Sequence, residues 1–205
     1  MGKYKRILLK LSGEALASTD NTIDPDTLNK VVNIIQSAID QKVEVGIVIG
    51  GGNIFRGAAL AQAGMNRITG DHMGMLATVI NALAIADACK KNKINALVMS
   101  GFPIGGGVCD PVDHNKAKQA LSEGKVVIFS AGTGSPCFTT DTGAVLRAIE
   151  IDADIVFKAT KVDGVYTDDP MKNPDATRYE TLGFDEAIEK NLQIMDTAAF
   201  ALCRE

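Results

Sequence analysis

The sequence contains no tryptophan, only two histidines and only four cysteines in 205 residues. Aromatic residues make up 5% of it, so any core must be built mainly from aliphatic side chains. The cysteines, Cys89, Cys109, Cys137 and Cys203, include no C-x-x-C pair and no His-Cys cluster, which argues against a zinc centre. Each reads as a reduced core residue in an apolar or small-residue setting. Positive charge is not in excess either: 21 Lys and Arg against 25 Asp and Glu leave a formal net charge of -4. That excludes the broad basic field with which proteins hold nucleic acid or acidic membranes, and an anionic substrate would need local cationic sites. The first apolar run, Ile7-Leu8-Leu9, is too short for a signal peptide and runs straight into Lys10. No stretch reads as a membrane span. Together these features predict a cytoplasmic protein with neither nucleic-acid nor membrane partners.

Familiar catalytic signatures are missing as well. There is no G-x-x-x-x-G-K-[ST], no G-x-G-x-x-G after a strand, no H-E-x-x-H and no G-x-S-x-G. A P-loop enzyme, a dinucleotide-binding unit, a zinc protease and a serine hydrolase are all excluded. The two histidines, His72 and His114, offer no triad.

What is present is an alternation of short β-branched runs with longer helical patterns. Strands are predicted over Arg6–Leu11, Glu44–Ile49, Ala96–Met99, Val126–Ser130 and Ile155–Lys158. Helices are predicted over Pro25–Gln41, Asp71–Asn92, Asp113–Glu123 and Thr140–Asp152. In the second helix Met75, Leu76, Val79, Ile80 and Leu83 recur at three and four residues, which predicts one apolar face. Asp24-Pro25 fits a capped start with proline at the first helical position. The strands read as apolar runs rather than alternations, so the sheet should be covered on both faces. This order predicts an α/β protein of three layers, α/β/α, around an open and mostly parallel sheet. No linker or internal repeat divides it, and residues 1–205 read as one domain.

Ligands of such sheets sit beyond the carboxyl ends of the strands. Four Gly-rich stretches fall there: Gly50-Gly51-Gly52-Asn53, Gly105-Gly106-Gly107, Gly132-Thr133-Gly134, and Thr160–Asp163 with Gly164 beyond it. Their convergence suggests one polyanionic ligand or two adjacent ones. Lys10 ends an apolar strand, where an unpaired charge costs several kcal/mol; it reads either as a phosphate ligand or as an edge lysine reaching solvent. Gly51 and Gly52 let a backbone approach a ligand, and Asn53 would start a short helix carrying Arg56, a guanidinium suited to a phosphoryl group. Asp71 at the start of the long helix reads on spacing alone as a cap. Thr139-Thr140-Asp141 opens another helix and offers two hydroxyls and backbone amides to an anion. Asp141 there either caps the helix or holds cationic side chains. Lys158 and Lys161 flank Ala159-Thr160, and the aspartates of Asp163-Gly164 and Asp168-Asp169-Pro170 read equally as turn formers.

Several blocks resemble one family. Lys10–Glu14 (KLSGE), Gly50–Gly57 (GGGNIFRG), Gly70–Thr78 (GDHMGMLAT), Ser130–Asp141 (SAGTGSPCFTTD) and Lys158–Val165 (KATKVDGV) are similar to the uridylate kinases of the amino acid kinase superfamily. The resemblance extends from Tyr4 to Glu205. It implies transfer of the γ-phosphate of ATP to UMP, with Mg²⁺ accompanying the ATP, and a homohexamer built from dimers. It assigns ATP to Lys10, Leu11, Ser12, Gly13, Gly52, Arg56, Thr160, Tyr166 and Asp169. It assigns UMP to Gly51, Asp71, Thr133, Gly134, Ser135, Pro136, Cys137, Phe138, Thr139 and Thr140, so that Asp71 meets the ribose hydroxyls rather than capping. Lys10, Lys158 and Arg56 form the implied cationic clamp, with Asp141 and Asp196 as organising carboxylates. The chain departs from the family pattern at Ala17–Thr22, which has no glycine, and at Ala86 and Lys90, where GTP-activated members often carry arginine and histidine. Members of the family also continue past the helix near Glu205 by roughly two more strands, judged from ordinary strand and connection lengths.

Overall fold

In the computed structural model, which describes residues 3–55, 64–160, 162–192 and 194–204, the predicted apolar runs become a single sheet. Its strands are β1 (Arg6–Leu11), β2 (Glu44–Ile49), β3 (Ala96–Ser100), β4 (Asp110–Pro111), β5 (Val126–Ser130) and β6 (Ile155–Lys158). The order is β4-β3-β5-β2-β1-β6, and every pairing among them is parallel. β4 was not foreseen. It is two residues long and contains Pro111, which cannot donate to a ladder and so belongs at an edge.

The helices are α1 (Pro25–Asp40), α2 (Arg67–Lys91), α3 (His114–Ser122), α4 (Thr140–Glu150), α5 (Phe184–Glu189) and α6 (Thr197–Arg204). Alternation along the strands sends side chains into two cores. Val45, Ile47 and Ile49 pack with Val32 and Ile35 of α1 and with Ala82 and Ile85 of α2. On the opposite face Leu8, Val48 and Phe129 pack with Leu121 of α3 and Ala148 of α4. Phe129 is 1% exposed, and truncating so buried an aromatic to Ala costs about 3–5 kcal/mol. The three-layer expectation holds.

Three expectations about α2 fail. The helix begins at Arg67, not Asp71, because Asn66 caps it by accepting from the Thr69 amide. Its apolar residues also do not share one face. Met75 and Val79 are buried, whereas Leu76, Ile80 and Leu83 are exposed, so the helix is apolar on two sides. At 25 residues, with a mean hydropathy of 1.4 over its most apolar 18, it is long and apolar enough to cross a membrane by length and composition, contrary to the reading of the sequence. Half of that window is instead buried within the protein, where the helix packs on α1, β3 and β5. The cysteines also divide. Cys89 is buried, and burial pushes its thiol up to about 11. Cys137 is exposed rather than in the core.

Candidate active site

The loops leaving β2 and β5 and the N-termini of α2 and α4 enclose a first cleft of about 310 Å³. Of the residues assigned to UMP, Gly51, Asp71, Thr133, Ser135, Phe138, Thr139 and Thr140 line it. Gly52, assigned to ATP, lines it too. Gly134, Pro136 and Cys137 belong to the same loop without forming the wall. Gly134 is there for space: at φ +83° a Cβ would stand 2.1 Å from the Gly101 carbonyl oxygen. Gly51 is comparable, since its Cβ would meet the Gly74 carbonyl oxygen at 2.8 Å. Among the described residues, a Cβ on Gly52 would meet nothing within 4 Å. Asp71, in the second turn of α2, is not a cap; it accepts from the Cys137 amide at 2.8 Å and pairs with Arg67 at 3.4 Å.

Behind this cleft stand three charges. Lys10 on β1 and Lys158 on β6 are register partners on adjacent parallel strands, so their side chains project from the same face. Asp141 answers both, with Oδ1 2.8 Å from Lys10 Nζ and Oδ2 2.8 Å from Lys158 Nζ. The Lys10 contact is a charge contact without directed hydrogen-bond geometry, because Asp141 Oδ1 has no hydrogen-bond partner. Lys158 donates to Asp141 and to the Ile194 carbonyl. The side chains are 13%, 16% and 23% exposed for Lys10, Asp141 and Lys158, and the group carries one positive charge in excess. The two alternatives for Asp141 are thereby decided: Thr139 caps α4, accepting from the Asp141 and Thr142 amides, and the Asp141 carboxylate holds the lysines.

Lys158 also lines a second cleft, of about 650 Å³, shared with Thr160, Tyr166 and Asp169. The Tyr166 hydroxyl donates to Asp163 at 2.7 Å, and this bond is the main reason its pKa is raised. Asp169 accepts from the Met171 amide and pairs with Lys172. Lys190, in the same wall, donates to Glu186 and to the Tyr179 hydroxyl, and these bonds raise its pKa. Lys10, Leu11, Ser12 and Gly13 do not line this cleft. Leu11 is in the core, Ser12 caps the 3₁₀ turn Gly13–Leu16, and Gly13 lies against Gly50 and Gly52. Gly105–Gly107, expected to converge with the other glycine loops, form an exposed turn that lines neither cleft. Arg56 and Lys161, and any helix carrying Arg56, lie outside the described residues. His72 and His114 are exposed. Among the described residues no group of three His, Cys, Asp or Glu could hold a metal.

Asp196 joins the site from α6. It accepts from the hydroxyls of Thr139 and Thr142 and from the Ala199 amide, tying the start of α6 to the start of α4. Burial pushes its carboxyl up, but the hydrogen bonds from Thr139, Ala199 and Thr142 outweigh burial and hold it below the ordinary value.

Three buried polar residues escaped the reading of the sequence. Asn81 donates to the Gly50 carbonyl at 2.7 Å and exchanges amide hydrogen bonds with Asn53. Thr78 accepts from the Ala131 amide at 2.6 Å. Arg147, 4% exposed, donates to the Gly132 carbonyl at 3.1 Å and pairs with Glu150. All three fasten a cleft loop to a helix. Asn81 and Thr78, polar residues in the apolar stretch Met75–Ile85, were the available signal.

The model of the amino acid kinase family matches residues 5–205. The uridylate kinase of Ruthia magnifica subsp. Calyptogena magnifica is 80% identical over 205 residues, covering 100% of this chain and 86% of that protein. The UMP kinase structure from Bacillus anthracis superposes with a TM-score of 0.93 at 41% identity, over 98% of this chain and 83% of that one. The UMP kinase structure from Ureaplasma parvum gives 0.91 at 39% identity, over 99% and 86%. An all-parallel sheet with clefts at its carboxyl edge, a lysine pair held by one carboxylate, and these likenesses over nearly the whole chain agree: the protein belongs to the amino acid kinase family, among its uridylate kinases.

Proposed function

We propose that the protein is a UMP kinase, converting ATP and UMP to ADP and UDP. The observation that carries this reading is the Lys10–Asp141–Lys158 group. Lys158 lines the larger cleft, while Asp141 follows directly on Thr139 and Thr140 of the smaller. An excess positive charge, with Lys158 in the wall of one cleft and Asp141 next in sequence to the wall of the other, suits two anions that must be brought together.

The smaller cleft takes UMP. Asp71 accepts from the ribose hydroxyls, and the Thr133–Thr140 stretch with Gly51 surrounds base and phosphate. The larger cleft takes ATP through Thr160, Tyr166 and Asp169, with the segment Lys10–Gly13, Gly52 and Arg56 at the phosphates. Mg²⁺ would enter with the ATP as part of that substrate and offset its phosphate charge. An oxygen of the UMP phosphate attacks the γ-phosphorus in line; the new O–P bond forms as the bond to the β-phosphate oxygen breaks and ADP departs. The attacking oxygen is already ionised at neutral pH, so no general base is needed, and catalysis reduces to alignment and neutralisation of charge. Asp141 keeps both ammonium groups in place before substrate arrives. Asp196 fixes the helix start that presents Thr139.

The apolar exposed side of α2 supports a homo-oligomer, in keeping with the expected homohexamer. Four cysteines with free thiols suit the cytoplasm. The test is a coupled assay of ADP release across UMP, CMP, dTMP and small carboxylates. UMP is expected to be preferred over CMP by at least about tenfold, equivalent to about 1.4 kcal/mol. Equal turnover of CMP removes the uridylate assignment, and turnover of a carboxylate instead moves the protein to another branch of the family.

A further inference from the structure

We infer that Thr78 is a positioning residue for the acceptor, its buried hydroxyl holding the Ala131–Gly134 turn at the distance from Asp71 that a nucleoside monophosphate requires. The inference rests on the proposed function and adds to it a residue that does none of the chemistry.

Asp71 and Thr78 lie seven residues apart on α2 and so share a side of the helix. Both line the smaller cleft, but Thr78 is only 5% exposed. Its hydroxyl donates to the Met75 carbonyl at 2.6 Å, the ordinary bond of a helical threonine to its own preceding turn. The same oxygen accepts from the Ala131 amide at 2.6 Å, across 53 residues of sequence. That second bond has no role within the helix.

Ala131 gives the bond its importance. The parallel ladder of β5 ends at Ser130, paired with Ser100, so the Ala131 amide is the first beyond the sheet and has no strand to donate to. Ala131 is also fully buried and turns through φ +56°, a region that residues with a Cβ rarely adopt. Gly132 follows at φ +53° and Gly134 at φ +83°. The chain thus reverses sharply inside the protein, at the wall that carries Thr133 and Ser135. Among the described residues, Thr78 from α2 and Arg147 from α4 fix the reversal from outside. Thr78 ties the Ala131–Gly134 turn itself to the helix that bears Asp71, while further along the same loop the Cys137 amide donates to Asp71.

Replacing the hydroxyl by a methyl group preserves shape and leaves a buried N–H without a partner, a loss the turn can relieve only by moving. A shift of that wall changes the span between Asp71 and Thr133–Ser135 while leaving the ATP cleft alone. Thr78→Val is therefore expected to weaken UMP binding, measured by calorimetry without ATP, by roughly tenfold. ATP affinity should stay within about twofold, and Thr78→Ser should restore UMP binding to within about threefold. Melting temperatures of all three proteins are recorded alongside. A purely structural threonine would lower the melting temperature and leave UMP affinity unmoved, and that result overturns the inference. So does a Thr78→Ser protein as weak as Thr78→Val, or an equal loss for ATP. Should Thr78→Val fail to fold, Thr78→Ala against Thr78→Ser carries the same comparison. Wild-type protein that binds no UMP would overturn the proposed function itself; wild-type binding with an unchanged Thr78→Val overturns only the inference.

Discussion

Two ammonium groups on register-paired positions of neighbouring strands repel, and Lys10 and Lys158 tolerate this because one carboxylate, Asp141, contacts both. The excess charge is then available to a phosphoryl group as negative charge spreads in transfer. If Lys10 acts chiefly there, removing it harms the transition state more than the bound substrate. Lys10→Ala is expected to lose roughly 10²–10³ in kcat, the cost of one preorganised donor in comparable sites, with little change in KM for UMP. Lys10→Arg should also be poor, since a broad planar fork does not replace a compact charge. Steady-state kinetics with circular dichroism for folding decide the matter; a folded Lys10→Ala that keeps more than about a third of wild-type kcat, far above that range, reduces Lys10 to a structural cation. The sequence made these charges visible because each interrupts an apolar strand or opens a helix. It concealed Thr78, Asn81 and Arg147, whose partners are backbone atoms of loops 15 to 53 residues away. A polar residue in an apolar stretch, as at Thr78 and Asn81, marks that a partner is needed but not which distant atom supplies it. On spacing alone Asp71 reads wrongly as a cap for the opposite reason: Gly70-Asp71 looks like a helix start, yet the chain has already been helical since Arg67.

The elements themselves followed the patterns closely wherever burial imposed them. β1, β2, β5 and β6 begin and end where their apolar runs do. β2 beyond Glu44 and all of β5 are buried, so no exposed polar positions blur their limits. In β1 and β6 the polar residues Arg6, Lys10 and Lys158 fall at or next to the strand ends. α1 starts at Pro25 behind its Asp24 cap, which accepts from the Asp26 and Thr27 amides. The short α5 and α6 were not delimited, and neither presents enough turns for a period to emerge. α6 nevertheless matters to the site, since Asp196 at its start binds the start of α4. Its carboxyl lies below the ordinary 3.8, with burial opposing the shift and the bonds from Thr139, Ala199 and Thr142 outweighing it. A lowered value means that the unfolded chain takes up this proton first as pH falls. The contribution of Asp196 to stability is accordingly complete above 3.8 and disappears as pH drops through the lowered folded value. Asp196→Asn is expected to melt below wild type at neutral pH, and the gap should close below pH 3.8. Thermal melts of both proteins across that range test it, and a gap that stays constant into acid would show that the charge of Asp196 adds nothing to the join.

On the scale of the whole molecule, the unexplained feature is the outer side of α2. Met73, Leu76, Ile80 and Leu83 follow one another at three, four and three residues and are 39%, 48%, 50% and 38% exposed. The opposite side, with Met75, Val79, Ala82 and Ile85, is already buried. From Met73 to Ala86 the helix has no charged residue, so nothing keeps the outer stripe in water. Stripes of this kind mark association surfaces. An uncharged stripe suits a second copy of itself, since in a twofold contact each patch must meet its own likeness without opposing charges. The expected homohexamer needs such a contact for its dimers, and this helix is the element that offers one. Leu76→Glu with Ile80→Glu would place like charges across that contact and desolvate them, while leaving Asp71, Thr78 and Asn81 on the cleft side untouched. Light scattering is expected to find wild-type protein assembled and the double variant reduced to monomers or to a smaller assembly. A wild-type monomer, or a double variant that assembles like wild type, would mean that α2 is not the contact. Because the same helix carries a wall of the smaller cleft on its other side, the variant's UMP affinity should be measured with its mass. Loss of assembly with UMP binding retained would place the contact on this stripe and keep it separate from the acceptor cleft.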